Sequence, residues 1–337
     1  MTQVQTVGID LAKQVCSVHG VDSQGRPALR RTVRAEQLAE LIANLPPCRI
    51  GMESCSGAHH WARRFQEHGH DVRLIAPRFI AAYRKGDKND GNDAEAICEA
   101  VSRPSMRFVP IKSVEQQAVL TVHRVRQGFV TERTAIINRM RGLMAEFGVV
   151  MPLRPIEVQR RVPALLEDLP ALAAGAIADV YAQFIHLGER VRQYDRQIAD
   201  LVRLSEPSRR LMARPGIGKL TASALVASVG TARDFRNGRQ FAAWLGLVPR
   251  QYSTGGKTRL GRITKRGDTY LRTLLILGAR HVVRSAARHK DSGLHRWALQ
   301  VKERRGWHRA CVAVAAKNAR IVWALLARQQ PDVAAAI

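Results

Sequence analysis

The sequence contains 337 residues and carries a formal net charge of +26, since 54 lysines and arginines stand against 28 acidic residues. This length favours two domains, and the charge favours a polyanionic partner such as nucleic acid, because so much like charge destabilises a compact protein unless it is neutralised. The five cysteines are scattered without a C-x-x-C pair, which argues against a disulfide framework or a zinc site. Neither a secretory leader nor an apolar run of about 18 residues is visible, so we predict a cytoplasmic protein without a membrane span.

The N-terminal part of the chain alternates short apolar strands with helices. Strands are predicted at Thr6–Lys13, Cys16–Val21, Leu29–Val33, Arg49–Ser54 and Asp71–Pro77, and helices at Glu36–Leu45 and His59–His68. This alternation is typical of an α/β sheet covered by helices on both faces. Ligands bind at the carboxyl ends of the strands in such sheets.

Four carboxylates fall where such a sheet would place a site. Asp10 lies in an otherwise apolar strand, and Glu53 ends another. Asp90 and Asp93 open a predicted helix three residues apart and therefore share a face, although acids at a helix start also act as caps. Clustered carboxylates repel unless a cation neutralises them, and two Mg²⁺ ions suit in-line phosphodiester cleavage. We predict that these four acids bind Mg²⁺, with Mn²⁺ as an alternative ion.

The middle of the chain, residues 111–205, is predicted to be a helical spacer. Long amphipathic helices are predicted at Val114–Phe147 and Ile177–Leu204, with a shorter one at Val162–Ala174. An arginine-rich face on the first helix is either simply solvated or follows a phosphate backbone. The nearly heptad apolar spacing of the second favours a helical hairpin or coiled coil, serving as a spacer or a dimerisation element.

The third region, residues 206–330, begins with a glycine-rich turn between two helical patterns. In Pro215–Lys219 the residues Gly216, Gly218 and Lys219 are typical of a helix-hairpin-helix, in which backbone N–H groups approach a phosphate at a helix N-terminus. The alternative is a turn that merely joins two packed helices.

Arg250–Gly267 is a predicted basic loop that carries three adjacent hydroxyls, those of Tyr252, Ser253 and Thr254. Its candidate phosphate-binding cations are Lys257, Arg259, Arg262, Lys265 and Arg266. Such a loop either only contacts a nucleic-acid backbone or holds a nucleophile, for which local positive charge is the one source of activation it supplies. Helices are predicted to follow at Tyr270–Ala287 and Trp307–Ala327, before a frayed tail at residues 329–337.

Two ordered motif sets resemble the transposases of the insertion sequence 110 family. The first is Val7-Gly8-Ile9-Asp10, then Gly51-Met52-Glu53-Ser54-Cys55-Ser56-Gly57, then Asp90-Gly91-Asn92-Asp93-Ala94. The second is Gly246-Leu247-x-Pro249, a Ser/Thr-Gly-rich loop, and Gly261-Arg262-Ile263-Thr264-Lys265-x-Gly267-x-x-x-Leu271-Arg272. Together they cover nearly the whole chain in family order.

This resemblance implies a fold and a mechanism. The expected architecture is an α/β RNase H-like (RuvC-like) domain at residues 1–110, a long helical or coiled-coil spacer, and a mostly α C-terminal transposase domain. The acids of the family's DEDD set correspond to Asp10, Glu53, Asp90 and Asp93. The serine that attacks DNA corresponds to Ser253 when counted back from Lys265 and to Thr254 when counted forward from Pro249. Ser253 is favoured because it is the serine, and Tyr252 is a further candidate.

The resemblance also implies partners, and the residues leave other functions open. DNA, a noncoding guide RNA and further copies of the chain in a dimer or tetramer are the expected partners. One alternative function is a RuvC-like junction endonuclease that hydrolyses DNA with metal-activated water. The other is a nucleic-acid-binding protein without catalysis.

Overall fold

The computed structural model describes residues 3–85, 89–289 and 291–327. Its contacts divide the chain into two compact units, Met1–Ser113 and Val114–Ile337. Lys88 and the predicted frayed tail lie outside the described residues. The boundary predicted near residue 205 falls inside the second unit and remains a prediction.

The first unit is a mixed sheet with helices on both faces. Its strands are β1 (Thr6–Leu11), β2 (Val15–Val21), β3 (Pro27–Arg34), β4 (Arg49–Glu53), β5 (Asp71–Ile75) and β6 (Phe108–Val109). Its helices are α1 (Ala35–Ala43), α2 (Ala58–Glu67), α3 (Pro77–Ile80) and α4 (Asp90–Val101), with a 3-10 turn at Ala81–Tyr83. The strand order is β3-β2-β1-β4-β5-β6.

The sheet combines an antiparallel meander with a parallel centre. Strands β1, β2 and β3 pair antiparallel, β1 pairs parallel with β4, β4 pairs parallel with β5, and β6 is antiparallel to β5. Because side chains alternate along a strand, Val7 and Ile9 pack with Phe65 on the face that α1 and α2 cover, whereas Gly8 faces α4. The prediction of an α/β sheet is confirmed.

The second unit is almost entirely helical. It contains α5 (Val114–Ala145), α6 (Pro155–Leu165), α7 (Ala171–Leu204), α8 (Glu206–Met212), α9 (Lys219–Val229), α10 (Gly238–Trp244), α11 (Thr269–Ser285), α12 (Gly293–Arg305) and α13 (Trp307–Ala327). Two short strands, β7 (Pro249–Gln251) and β8 (Leu260–Ile263), form a hairpin between α10 and α11.

Helices α5 and α7 form an antiparallel pair. Arg126 of α5 donates to Asp195 of α7 at 2.6 Å, while Met144, near the end of α5, shares a hydrophobic cluster with Ile177, near the start of α7. These contacts define a helical hairpin. The coiled-coil geometry and the dimerisation role remain predictions.

Three details differ from the sequence-based expectations. Arg250–Gly267 contains a β-hairpin where only a loop was expected, and α12 was not predicted. The single helix predicted at Val162–Ala174 is interrupted, since α6 ends at Leu165 and α7 begins at Ala171.

Two described helices are long and apolar enough to cross a membrane by length and composition, α7 and α13. Core helices of ordinary soluble proteins pass the same test. Half of the most apolar window of α13 is buried inside the protein, and Val314 and Val322 of this helix belong to the core of the second unit. These helices are therefore weak evidence for a membrane protein.

Candidate active site

The carboxyl ends of two neighbouring parallel strands carry the first two predicted acids. The last β1–β4 pair in register is Ile9 with Met52, so Asp10 and Glu53 each come one residue later at the same edge of the sheet. Both lie on the sheet face that carries Gly8 and Gly51, because side chains alternate along a strand. Asp10 and Glu53 are each partly buried.

Helix α4 brings the second pair of acids to that edge. It packs so closely on the sheet that a Cβ on Gly8 would lie 2.2 Å from the Ala94 carbonyl oxygen, and one on Gly51 would lie 2.8 Å from Val101 Cβ. Gly8 is two residues before Asp10 and faces Ala94, whereas Thr6 accepts a hydrogen bond from Cys98. The N-terminus of α4 therefore points toward the strand ends.

The first turn of α4 is fixed by a side-chain cap. Asn89 accepts a hydrogen bond from the N–H of Asn92 at 2.8 Å, which satisfies one of the free donors of a helix start. Asp90 is exposed and Asp93 is buried. Asp93 also pairs with Arg84, whose Nε donates to its Oδ1.

Two half-buried or buried thiols adjoin the strand ends. Burial raises the pKa of Cys55, and the nearby Glu53 and Asp10 carboxylates raise it further. Burial, together with Asp10, also raises the pKa of Cys16, against a backbone hydrogen bond that lowers it. Both shifts favour the neutral thiol.

The chemistry of these donors fits a hard divalent cation. All four candidate ligands are carboxylates, and oxygen is what Mg²⁺ and Mn²⁺ select. Among the described residues, no three His, Cys, Asp or Glu side chains lie close enough to hold one ion as they stand. The backbone brings the four acids to one edge, and a bound ion requires their side chains to turn toward each other.

The predicted nucleophile lies on the β7–β8 hairpin. Ser253 is exposed, and its Oγ accepts a hydrogen bond from Gln251 Nε2 at 2.8 Å. Thr254 pairs with Lys257 across a two-residue turn formed by Gly255 and Gly256, which both have positive φ, as a tight hairpin turn requires. The five predicted phosphate-binding cations of the hairpin are all exposed: Lys257, Arg259, Arg262, Lys265 and Arg266.

Backbone contacts and a buried arginine hold the base of this hairpin. Thr264 donates to Val248 at 2.8 Å, and Lys265 donates to Gly246 at 3.1 Å. Arg272, buried in α11, donates to the Leu245 carbonyl at 3.1 Å. Gly246 and Gly267 of the second motif lie against the backbone of Arg266 and Trp244, so these two glycines let the two segments approach closely.

The glycine-rich turn between α8 and α9 has one part that packs on neighbouring helices and one part that is exposed. Gly216 lies against Val282 of α11, and the Pro215 carbonyl accepts from the buried Asn318 at 3.0 Å. Gly218 and Lys219 are exposed at the start of α9. Gly218 and Lys219 are therefore the part of the turn that is accessible to a phosphate.

Sequence reasoning missed Arg84, Gln251 and the close approach of α4. A signal for the last was present, since glycine stands two residues before an acid in both Gly8-Ile9-Asp10 and Gly51-Met52-Glu53. No local pattern marks Arg84 or Gln251, because their partners are defined only by the fold.

Known proteins resemble both units of the chain. A DEDD transposase model matches residues 7–148, and a model described as the transposase IS116/IS110/IS902 family matches residues 208–309. A probable family 20 transposase of Pseudomonas aeruginosa is 52% identical over 96% of this chain and 97% of its own length. The transposase for insertion sequence element IS1111A of Coxiella burnetii is 40% identical over 98% of this chain and 92% of its own.

The transposase for insertion sequence element IS1328 of Yersinia enterocolitica is likewise 40% identical, over 96% of this chain and 97% of its own. The protein is thus a transposase whose N-terminal unit has the RuvC-like fold of the DEDD class. It belongs to the IS116/IS110/IS902 family of insertion-sequence transposases. As a transposase it acts on DNA, and its DEDD domain indicates a requirement for a divalent metal.

Proposed function

We propose that this transposase cuts and rejoins DNA through a covalent phosphoserine intermediate formed by Ser253, with Mg²⁺ held by Asp10, Glu53, Asp90 and Asp93. The proposal is supported by the position of Asp10 and Glu53 at the ends of neighbouring parallel strands and by the acidic first turn of α4, which points toward the same edge of the sheet. When bound, the metal polarises the phosphoryl oxygens.

The residues of the hairpin support the role of Ser253. Its Oγ attacks the phosphorus and loses its proton to solvent, while the bond to the deoxyribose oxygen breaks and that oxygen takes up a proton. Gln251 Nε2 donates to one lone pair of the serine oxygen and so orients it, leaving the hydroxyl proton free to depart. The exposed cations Lys257 and Arg259 stabilise charge that develops on the phosphate.

A serine ester retains the energy of the phosphodiester bond. Attack by a deoxyribose hydroxyl on the serine-linked phosphate therefore rejoins DNA without ATP. Because Ser253 and the acids belong to different units, we propose that active sites assemble in a dimer or tetramer, with the spacer helices as a coiled-coil contact.

Further parts of the proposal concern nucleic-acid contacts. Gly218 and Lys219 bind a DNA phosphate in the manner of a helix-hairpin-helix, supported by their exposure at the start of α9. A noncoding RNA of the element guides target choice, and the net charge of +26 accommodates a second polyanion. The protein works in the cytoplasm.

Trapping the intermediate tests the central step. Full-length protein is incubated with DNA containing an element end and Mg²⁺, and adducts that survive detergent are digested and searched for phosphoserine by mass spectrometry. The expected adduct maps to residue 253, disappears in Ser253→Ala and persists in the neighbouring control Thr254→Ala. DNA cleavage unaffected by Ser253→Ala contradicts the proposal and favours a junction endonuclease using water.

A further inference from the structure

One of the four acids is held by an arginine that no motif includes. Arg84 Nε donates to Asp93 Oδ1, and the side chains of Arg84 and Asp93 are only 28% and 12% exposed. Water screens such a pair much less than a surface pair. The contact is therefore a partly buried ion pair at the start of α4.

The backbone places Arg84 beside α4. Arg84 directly follows the 3-10 turn Ala81–Tyr83, and Tyr83 packs on the hydrophobic cluster that contains Ile97 and Ala100 of α4. Phe79 of α3 packs on the same cluster. The guanidinium thus reaches Asp93 from a segment that is itself anchored on the same helix.

A second acid of α4 provides an internal comparison. Glu95 lies two residues after Asp93 and pairs with Lys85 at 3.8 Å and with Arg30 at 3.1 Å. Lys85 is 80% exposed, and Glu95 belongs to no predicted metal site. Adjacent cations at positions 84 and 85 therefore pair with one acid of the tetrad and one acid outside it.

We propose that Arg84 is the resident counterion of Asp93 and competes with the divalent metal for this carboxylate, so that release of Arg84 is a step in assembling the acid site. The proposal rests on the assignment of Asp93 as a metal ligand made above. The guanidinium occupies Oδ1 of Asp93, and its positive charge disfavours a metal cation on the same carboxylate, so separating the ion pair subtracts from the free energy of metal binding. Asp93 is thereby kept neutralised until a metal ion displaces the guanidinium.

Metal affinity tests this competition without any measurement of activity. Mn²⁺ binding to the full-length protein is followed by electron paramagnetic resonance for the wild type, Arg84→Gln and the matched control Lys85→Gln. We expect Arg84→Gln to bind Mn²⁺ about tenfold more tightly, or about 1.4 kcal/mol, and Lys85→Gln to change affinity less than about twofold. Equal affinities of Arg84→Gln and Lys85→Gln overturn the proposal.

Thermal denaturation provides a second readout. Without the Arg84 guanidinium, Asp93 carries an uncompensated charge. In the presence of a chelator, Arg84→Gln should therefore unfold at a lower temperature than the wild type, and addition of Mn²⁺ should raise its unfolding temperature by more than that of the wild type. An equal gain in both proteins counts against Arg84 as a competitor.

A different result would refute the assignment of the four acids as metal ligands. If Asp10→Asn and Asp93→Asn both leave Mn²⁺ affinity unchanged, the acids are not the metal ligands and the competition proposal falls with that assignment. If those variants weaken binding while Arg84→Gln does not tighten it, only the role of Arg84 is refuted.

Discussion

Replacing Gly8 by alanine should loosen the packing that brings α4 to the acidic edge. A Cβ at this position would lie 2.2 Å from the Ala94 carbonyl oxygen and 2.3 Å from the Cys98 nitrogen, both backbone atoms of α4. Contacts below 3.0 Å essentially never occur for a real Cβ, so the helix must move by about 0.8 Å or more.

The magnitude follows from two opposing terms. Overpacking in a well-packed core costs about 1–3 kcal/mol, and the upper end applies because a helix backbone cannot change rotamer to make room. Alanine loses less conformational entropy than glycine when a strand folds, which by itself stabilises the folded state by about 0.5–1 kcal/mol. We therefore expect a net loss of about 2 kcal/mol in the stability of the first unit.

Hydrogen exchange measured by mass spectrometry suits a chain with two units, because peptides report on each unit separately. A loss of about 2 kcal/mol corresponds to roughly a 30-fold drop in protection for peptides of β1 and α4. The control is Gly20→Ala in β2, where a Cβ would lie 3.0 Å from Leu29 Cβ and Val4 Cγ1, so that a displacement of a few tenths of an ångström makes room. Equal protection in Gly8→Ala and Gly20→Ala would refute the reasoning.

Two further predictions concern titratable groups. Burial, reinforced by Arg126, lowers the pKa of His123 from 6.5 to about 4. As the pH falls, His123 of the unfolded chain therefore takes up a proton before His123 of the folded chain does. The contribution of neutral His123 to the free energy of unfolding is complete above pH 6.5, and about 3 kcal/mol of it is lost toward pH 4. Urea titrations across this range should show a flatter pH dependence in His123→Leu, and an unchanged slope would count against the assignment. Among the five cysteines only Cys55 is not buried, and burial raises the pKa of Cys98 to about 12. At about pH 8 the native protein should therefore react quickly with at most one equivalent of a disulfide reagent, whereas the urea-unfolded protein should react with five. Two or more rapidly reacting thiols in the native protein would contradict the burial pattern.

The buried network around His123 illustrates what sequence patterns do not reveal. His123 of α5 contacts the Tyr270 hydroxyl at 2.9 Å and the Ser223 hydroxyl at 3.1 Å. These residues are about a hundred or more positions apart. A lone histidine in an amphipathic helix gives no indication of such partners, because they depend on how α5, α9 and α11 pack.

The sequence by itself determined the kind of protein. Short apolar runs predict the strands, helical spacing predicts α5 and α7, and Asp90 and Asp93 indicate the start of α4. The acids that end strands, Asp10 and Glu53, predict an acidic edge. Each of these signals is local or repeats with the period of its own element. The excess of positive charge is likewise a property of composition alone.

Only the tertiary structure decided which side chains meet. It shows that glycine before each strand acid lets α4 approach the sheet, that Arg84 pairs with Asp93, and that Gln251 donates to Ser253 on a hairpin rather than an open loop. Such contacts depend on the packing of elements against one another and on the turn formed at Gly255 and Gly256. Pairing between distant residues leaves no periodic trace along the chain, and for that physical reason it appears only in the folded protein.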